Sequence, residues 1–169
     1  SGIFNPTLFK PTYFIGENKF EGTLGQYQRM DNASVTVTIP ADALARLIIS
    51  LETGDVRLAP MQLKTLTVAL NNGSLRAENL TVTRDMLVEL PAGECMIDHL
   101  SIAEYASIAA TRCIRLHLDG DTADYTTDAR TDNVVRIGTK TYDKRYTCTG
   151  SNATLNLYAK GLIDLNVEV

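Results

Sequence analysis

Disulfide partners, metal-binding side chains and long apolar runs are all scarce in this sequence. It has two histidines and three cysteines, and an odd number of widely spaced cysteines predicts no disulfide framework. No apolar run approaches the roughly 18 residues that a membrane-spanning helix needs. The N-terminal residues also lack the basic and then apolar layout of a signal peptide. We therefore expect a soluble domain that could meet a membrane only through an anchor upstream of Ser1.

Positive charge is scarce as well, with 16 Lys and Arg against 20 Asp and Glu and a net charge of −4. Nucleic-acid binders and basic membrane-surface modules need clustered Lys and Arg, so no nucleic-acid partner is expected. The content of 44% apolar and 21% charged residues is typical of a folded chain rather than a disordered one. The length predicts a single domain.

A repeat of about 20 residues runs through the middle of the chain. Glycines recur at Gly54, Gly73 and Gly93, and each lies between two short alternations of apolar and polar residues. Alternation of this kind is strand spacing, and it places the apolar side chains on one face. Glycine also tolerates the positive φ that a corner of the chain requires. The inward triplets are Leu47, Ile49 and Leu51; Leu66, Val68 and Leu70; and Met86, Val88 and Leu90.

Two short strands in each 20-residue period are typical of a solenoid. The sequence therefore predicts an all-β, single-domain β-solenoid, a β-helix-like stack of coils with a capping pair of strands between Leu155 and Val167. This domain is expected to span residues 31–169, after an irregular N-terminal flank at residues 1–30. Residues 35–39 are predicted to form a strand, and residues 41–46 a short helix or turn over the open end of the stack.

The fourth repeat departs from the pattern. Ala106, Ile108 and Ala110 keep the register, but Cys113 replaces the glycine and the next apolar residues come one position early, as a single deletion would produce. A capping box that begins at Ser101, together with helical spacing, leaves a helix over residues 101–112 as an alternative. The neighbouring repeats favour a strand.

Three segments of this repeat carry a resemblance to a known family. Residues 35–40, 47–56 and 66–75 are similar to the bacterial adhesin-like family, a domain of unknown function built from stacked β coils, and residues 135–142 and 155–167 resemble its closing strands. The resemblance covers about residues 33–169. It implies an extracytoplasmic or cell-surface location and no established enzymatic activity, and the family has no functional residues to carry over.

Two Cys-x3-His pairs, Cys95 with His99 and Cys113 with His117, could supply four ligands to zinc. The pairs are offset by less than one repeat, so they do not stack in register, and Cys95 belongs to the inward series. We therefore expect buried structural thiols, with no metal, no cofactor and no catalytic residues.

Two further groups of residues could bind a ligand. An acidic stretch could bind calcium or act on a sugar, although a solvated loop is the favoured interpretation; its members are Asp119, Asp121, Asp124, Asp128 and Asp132. Aromatic and basic residues near the C-terminus could line a surface for a sugar or a protein, although scattered surface positions are the favoured interpretation; they are Tyr125, Tyr142, Tyr146, Tyr158, Arg130, Arg136, Lys140, Lys144 and Arg145.

The sequence favours a non-enzymatic, extracytoplasmic module, a structural or interaction domain that binds an unknown protein or glycan. The alternative is a carbohydrate-active or carbohydrate-binding β-helix that uses the acidic stretch at residues 119–132. A third hypothesis is a homo-oligomer formed through the unpaired strand edges at the solenoid ends.

Overall fold

The computed structural model describes residues 12–15, 18–21 and 45–167. These residues form thirteen β-strands and one short 3₁₀ helix at Thr122–Asp124, and no helix among them is long and apolar enough to cross a membrane. The strands are β1 (Thr12–Ile15), β2 (Asn18–Glu21), β3 (Arg46–Thr53), β4 (Val56–Leu58), β5 (Met61–Ala77), β6 (Leu80–Leu90), β7 (Gly93–Ile102), β8 (Tyr105–Ala110), β9 (Cys113–Leu118), β10 (Tyr125–Ile137), β11 (Lys140–Cys148), β12 (Ala153–Ala159) and β13 (Ile163–Val167).

Eight of these strands close into a parallel barrel. The pairing runs from β10 through β12, β8, β6, β5, β7, β9 and β13, and then returns to β10. The predicted β-solenoid is therefore wrong, because an open stack would leave its last coil unpaired on one side. Closure depends on two long strands: β5 pairs with both β6 and β7, and β10 pairs with both β12 and β13.

The predicted capping role of the C-terminal strands is also wrong. β12 lies between β8 and β10, and β13 lies between β9 and β10, so both are internal strands of the barrel. The strand that lies outside the barrel next to β10 is β11, which pairs with it antiparallel. On the other side, β3 and β4 extend the sheet from β5.

The predicted inward columns of apolar side chains are confirmed. Leu66 pairs with Leu47 on one side and with Met86 on the other, and all three side chains are buried. The outward positions alternate with them, so that Ser50 and Glu89 are exposed. The repeat of 19 or 20 residues therefore sets the register between β3, β5, β6 and β8, and its apolar columns form the core of the barrel.

The fourth repeat is a strand, and the alternative of a helix over residues 101–112 is wrong, since β8 occupies Tyr105–Ala110. The deletion inferred in the fourth repeat is confirmed by the pairing of Cys113 with Glu94 and of Cys95 with Ile114. The expectation that Cys113 replaces the glycine is wrong, because Cys113 takes the position of Glu94, one residue after Gly93. Gly93 pairs with Gly73 of β5. On the opposite side of β7, its carbonyl accepts a hydrogen bond from the Arg112 amide at 2.8 Å.

The N-terminal part of the chain is described only in two short strands. β1 and β2 form an antiparallel hairpin within the segment predicted to be an irregular flank. The strand predicted at residues 35–39 lies outside the described residues, as does most of the helix or turn predicted at residues 41–46, although Arg46 begins β3. The domain boundary near residue 30 stays a prediction.

Candidate functional site

A shallow groove lies on the outer face of the barrel, above β8. Its volume is about 410 Å³, and it is open to solvent. We call this surface the β8 groove, and its outward-facing lining side chains are Ser107, Ala109, Asp128, Arg130, Asn156 and Tyr158.

The strand register explains how the β8 groove forms. Asn156 lies between Asp128 and Ser107 in one row across the sheet. In the next row, Tyr158 lies between Arg130 and Ala109. Successive side chains of a strand point to opposite faces, so these two rows share the outer face. The small side chains of β8 leave a depression beside the larger ones of β12 and β10.

Three charged side chains form an ion cluster at the β10 side of the groove. The Asp128 carboxylate accepts hydrogen bonds from Arg130, with Nη2 at 2.6 Å and Nε at 3.1 Å from its oxygens. It also accepts hydrogen bonds from Arg145 of β11, with Nε at 3.2 Å and Nη2 at 3.3 Å. The hydrogen bonds from Arg130 lower the pKa of Asp128, with a smaller contribution from Arg145, while burial opposes them. The cluster is therefore ionised at neutral pH, with two cations sharing one anion.

Exposed apolar and aromatic side chains extend the surface around the groove. Tyr158 is 49% exposed, and Tyr105 and Leu87 are 38% and 41% exposed. Leu87 pairs with Ser107 across β6 and β8. The Asn156 side-chain amide donates a hydrogen bond to the Tyr105 hydroxyl at 3.3 Å, which orients an amide at the edge of the groove.

Comparison with known proteins gives one match. A family model described as Toastrack DUF4097 matches residues 11–152. The chain belongs to this family. The family is β-rich and uncharacterised, so the adhesin-like resemblance is confirmed as membership of a family of unknown function, and nothing in the match indicates adhesion specifically. No curated protein and no solved structure matches the chain.

The Toastrack domain brings together only part of the aromatic and basic surface considered from the sequence. Tyr158, Arg130 and Arg145 lie at or beside the β8 groove. Tyr125 is buried instead, and its hydroxyl donates a hydrogen bond to the Asp119 carbonyl at 2.5 Å. The other members lie outside the groove.

The members outside the groove lie on β11 and at the end of β10. Tyr142 and Tyr146 pack on each other with ring centroids 4.8 Å apart, and burial raises the pKa of Tyr146 to about 12. Arg136 pairs with Asp164 of β13 at 3.5 Å. Lys140 and Lys144 are exposed on β11.

The acidic stretch does not form one site. Asp121 and Asp124 cap the 3₁₀ helix, in which each side chain accepts a hydrogen bond from the backbone of the turn. The Asp119 carboxylate lies 3.4 Å from Nδ1 of His99, and Asp132 is exposed where the register of β10 against β11 shifts. Asp128 is the one aspartate of the stretch that lines the β8 groove.

The two Cys-x3-His pairs do not converge on one centre, but the expectation that they lie out of register is wrong for the histidines, because Leu100 pairs with Leu118 and brings His99 beside His117. The His99 and His117 rings stack with centroids 5.0 Å apart, whereas Cys95 faces the core. The expectation of a buried thiol is confirmed for Cys95 and wrong for Cys113, which is partly exposed and donates to a Glu94 carboxylate oxygen at 3.7 Å. Within the described residues, no group of three or more His, Cys, Asp or Glu side chains could hold a metal ion.

The thiols of Cys95 and Cys148 are expected to differ in reactivity. Burial, with a smaller contribution from Cys113, raises the pKa of Cys95 and keeps it protonated, whereas Cys148 is partly exposed. Since the thiolate is the reactive species, we expect iodoacetamide to modify Cys148 in the folded protein and Cys95 only after unfolding. Peptide mass spectrometry measures this, and equal rates at both positions in the folded protein would contradict the burial of Cys95.

The groove floor is the part of the site that sequence reasoning missed. Ser107 and Ala109 alternate with the inward Ala106, Ile108 and Ala110, but no motif marks them. Their small size is the signal in the sequence that could have indicated a depression, because the side chains at the paired outward positions on β6, Leu87 and Glu89, are larger.

Proposed function

We propose that this Toastrack domain is a non-catalytic binding module that holds a glycan in the β8 groove. The observation that carries the proposal is the exposed ring of Tyr158 beside Asn156, Asp128 and Arg130, above a floor of small side chains. A tyrosine ring offers an apolar face on which a sugar ring can stack. Amide, carboxylate and guanidinium groups supply hydrogen-bond donors and acceptors for sugar hydroxyls.

The same geometry favours binding over hydrolysis. Glycoside hydrolysis requires two carboxyl groups that flank the scissile bond, one of which must be protonated. Among the residues that line the groove there is one carboxylate, Asp128, and its pKa is lowered rather than raised. Both of its oxygens already accept hydrogen bonds from arginines. These observations support a non-enzymatic role.

The proposal includes an extracytoplasmic or cell-surface location, where a glycan-binding module would meet its ligand. The resemblance to the adhesin-like family is its support. Detection of the native protein in the envelope fraction of its source cells tests this part, and recovery in the cytoplasmic fraction alone would contradict it.

Self-association is a separate proposal about partners, with the outer edges of β3 and β11 as the contact surfaces, since each of these strands has a single strand partner among the described residues. β11 carries the exposed charges of Lys140, Asp143 and Lys144, and charged residues disfavour pairing at a strand edge. The contact would therefore involve the β3 side of the sheet, where β1 also lies beside β3. Sedimentation at several concentrations tests it, and a strictly monomeric result would remove it.

Replacing Tyr158 with threonine is expected to weaken glycan binding about tenfold, because the stacking surface is lost. Threonine keeps a high strand propensity, so the fold is retained. A glycan array identifies the ligand, and calorimetry with that ligand measures the change. The matched control is Met96→Thr on β7, which shortens an outward, partly exposed apolar side chain far from the groove along the sheet. Equal affinities for Tyr158→Thr and the parent protein would contradict the proposal.

A further inference from the structure

We infer that the β8 groove selects an acidic polysaccharide, whose sugar carboxylates bind to Arg130 and Arg145. This inference rests on the proposed function and names the chemical class of its ligand. It starts from charge: Arg130 and Arg145 share the single carboxylate of Asp128, so one positive charge of the cluster is not neutralised within it.

The positive charge is accessible to a ligand. The side chains of Arg130 and Arg145 are 58% and 57% exposed, whereas that of Asp128 is 30% exposed. Two cationic tips therefore stand further into solvent than the anion that holds them. An anionic ligand that approaches from solvent meets the guanidinium groups first.

The hydrogen bonds within the cluster also orient the two guanidinium groups. Each arginine uses its Nε and Nη2 side to bind Asp128. A guanidinium has a second edge, formed by Nη1 and Nη2 at its tip, which can bind a carboxylate through two parallel hydrogen bonds. Because Asp128 fixes the first edge of both groups, the second edges are held in place before a ligand arrives.

The position of the cluster fits a sugar acid stacked on Tyr158. Arg130 lies directly opposite Tyr158 in the pairing of β10 with β12, at the strand spacing of about 4.8 Å. A ring stacked on Tyr158 would place a carboxylate substituent within reach of Arg130. Glu89 lies beyond Ala109 on the other side of the groove. Glu89 is outside the groove lining, so the carboxylate of a bound acidic sugar is expected to point away from it, toward Arg130 and Arg145.

The test compares an oligogalacturonate with its methyl ester, which is the same sugar chain without its charge. We expect the acid form to bind the parent protein at least about tenfold more tightly than the ester. The Kd of the acid form should also rise with salt concentration, because its exposed charges are screened. Calorimetry at low and high salt measures both effects.

Arg130→Gln and Arg145→Gln are each expected to weaken binding of the acid form about tenfold and to leave binding of the ester nearly unchanged. The matched control is Arg57→Gln on β4, which removes the same charge from an exposed position away from the groove. It should leave both affinities unchanged. Thermal unfolding of each variant checks that the fold is retained.

Three results would overturn the inference. The first is equal binding of acid and ester; if Tyr158→Thr still weakened both, the proposed function would stand without charge selection. The second is an acid preference that survives both arginine substitutions. The third is binding of neither form, in which case the glycan array decides the proposed function separately.

Discussion

Replacing Gly73 with alanine is expected to lower the free energy of unfolding by about 3–5 kcal/mol. Gly73 has a φ of +144°, a backbone conformation that residues with a side chain rarely adopt, and it lies within the long strand β5. A Cβ at this position would lie 1.8 Å from the carbonyl oxygen of Gly54, in the short connection between β3 and β4. Backbone must therefore move, at the point where β5 passes from its pairing with β6 to its pairing with β7.

Gly138→Ala is the matched control for this prediction. Gly138 also has a positive φ, +55°, but a Cβ there would have no atom within 4 Å. Its replacement should therefore cost only about 1–2 kcal/mol, from backbone conformation alone. Urea denaturation of both variants measures the difference. Equal losses would contradict the close approach of β5 to the preceding repeat.

Replacing Leu66 with alanine is expected to lower the free energy of unfolding by about 2–5 kcal/mol. Leu66 is fully buried, and Leu47 and Met86 lie at the paired positions on both sides of it. Loss of its side chain removes buried apolar surface and leaves a cavity that strands in a closed barrel cannot easily fill. Chemical denaturation at equilibrium measures the loss.

Leu87→Ala is the control for Leu66→Ala, because Leu87 lies on the adjacent strand but faces outward and is 41% exposed. We expect a loss within about 0.5 kcal/mol, as for other surface substitutions. If the two leucines had similar effects, the assignment of inward and outward faces on β5 and β6 would be wrong.

Local pattern predicted the individual strands and their faces well. Alternation placed Leu66, Val68 and Leu70 inside because a strand has a side-chain period of two residues. The repeat length predicted which residues pair between neighbouring strands, and the early apolar residues after Cys113 revealed the deletion. These properties follow from residues close together in sequence.

Closure of the barrel could not be predicted in the same way. It depends on the pairing of Ala106 with Leu155 and of Ile114 with Ile163, which joins strands separated by the β10–β11 hairpin. No repeat spans that hairpin, so the sequence carries no periodic signal for the insertion of β12 and β13. Their apolar alternation is equally suited to an internal strand and to a cap.

The candidate site could likewise be predicted only in part from the sequence. Asp128, Arg130, Arg145 and Tyr158 were all considered from the sequence, but as members of two separate groups. Only the pairing of β10 with β11 and β12 shows that these four residues adjoin one another. Contacts across a sheet between distant segments decide which surface residues form a site, and a single sequence does not contain them.

The pairing of β10 with two strands closes the barrel and holds the arginine cluster beside Tyr158, so nuclear Overhauser effects across these pairs test the account most directly. We predict backbone contacts between Asp128 and Asn156, which join β10 to β12, and between Arg136 and Asp164, which join β10 to β13. Both sets should be present in the same folded protein. Contacts to β12 without contacts to β13 would contradict the closed barrel.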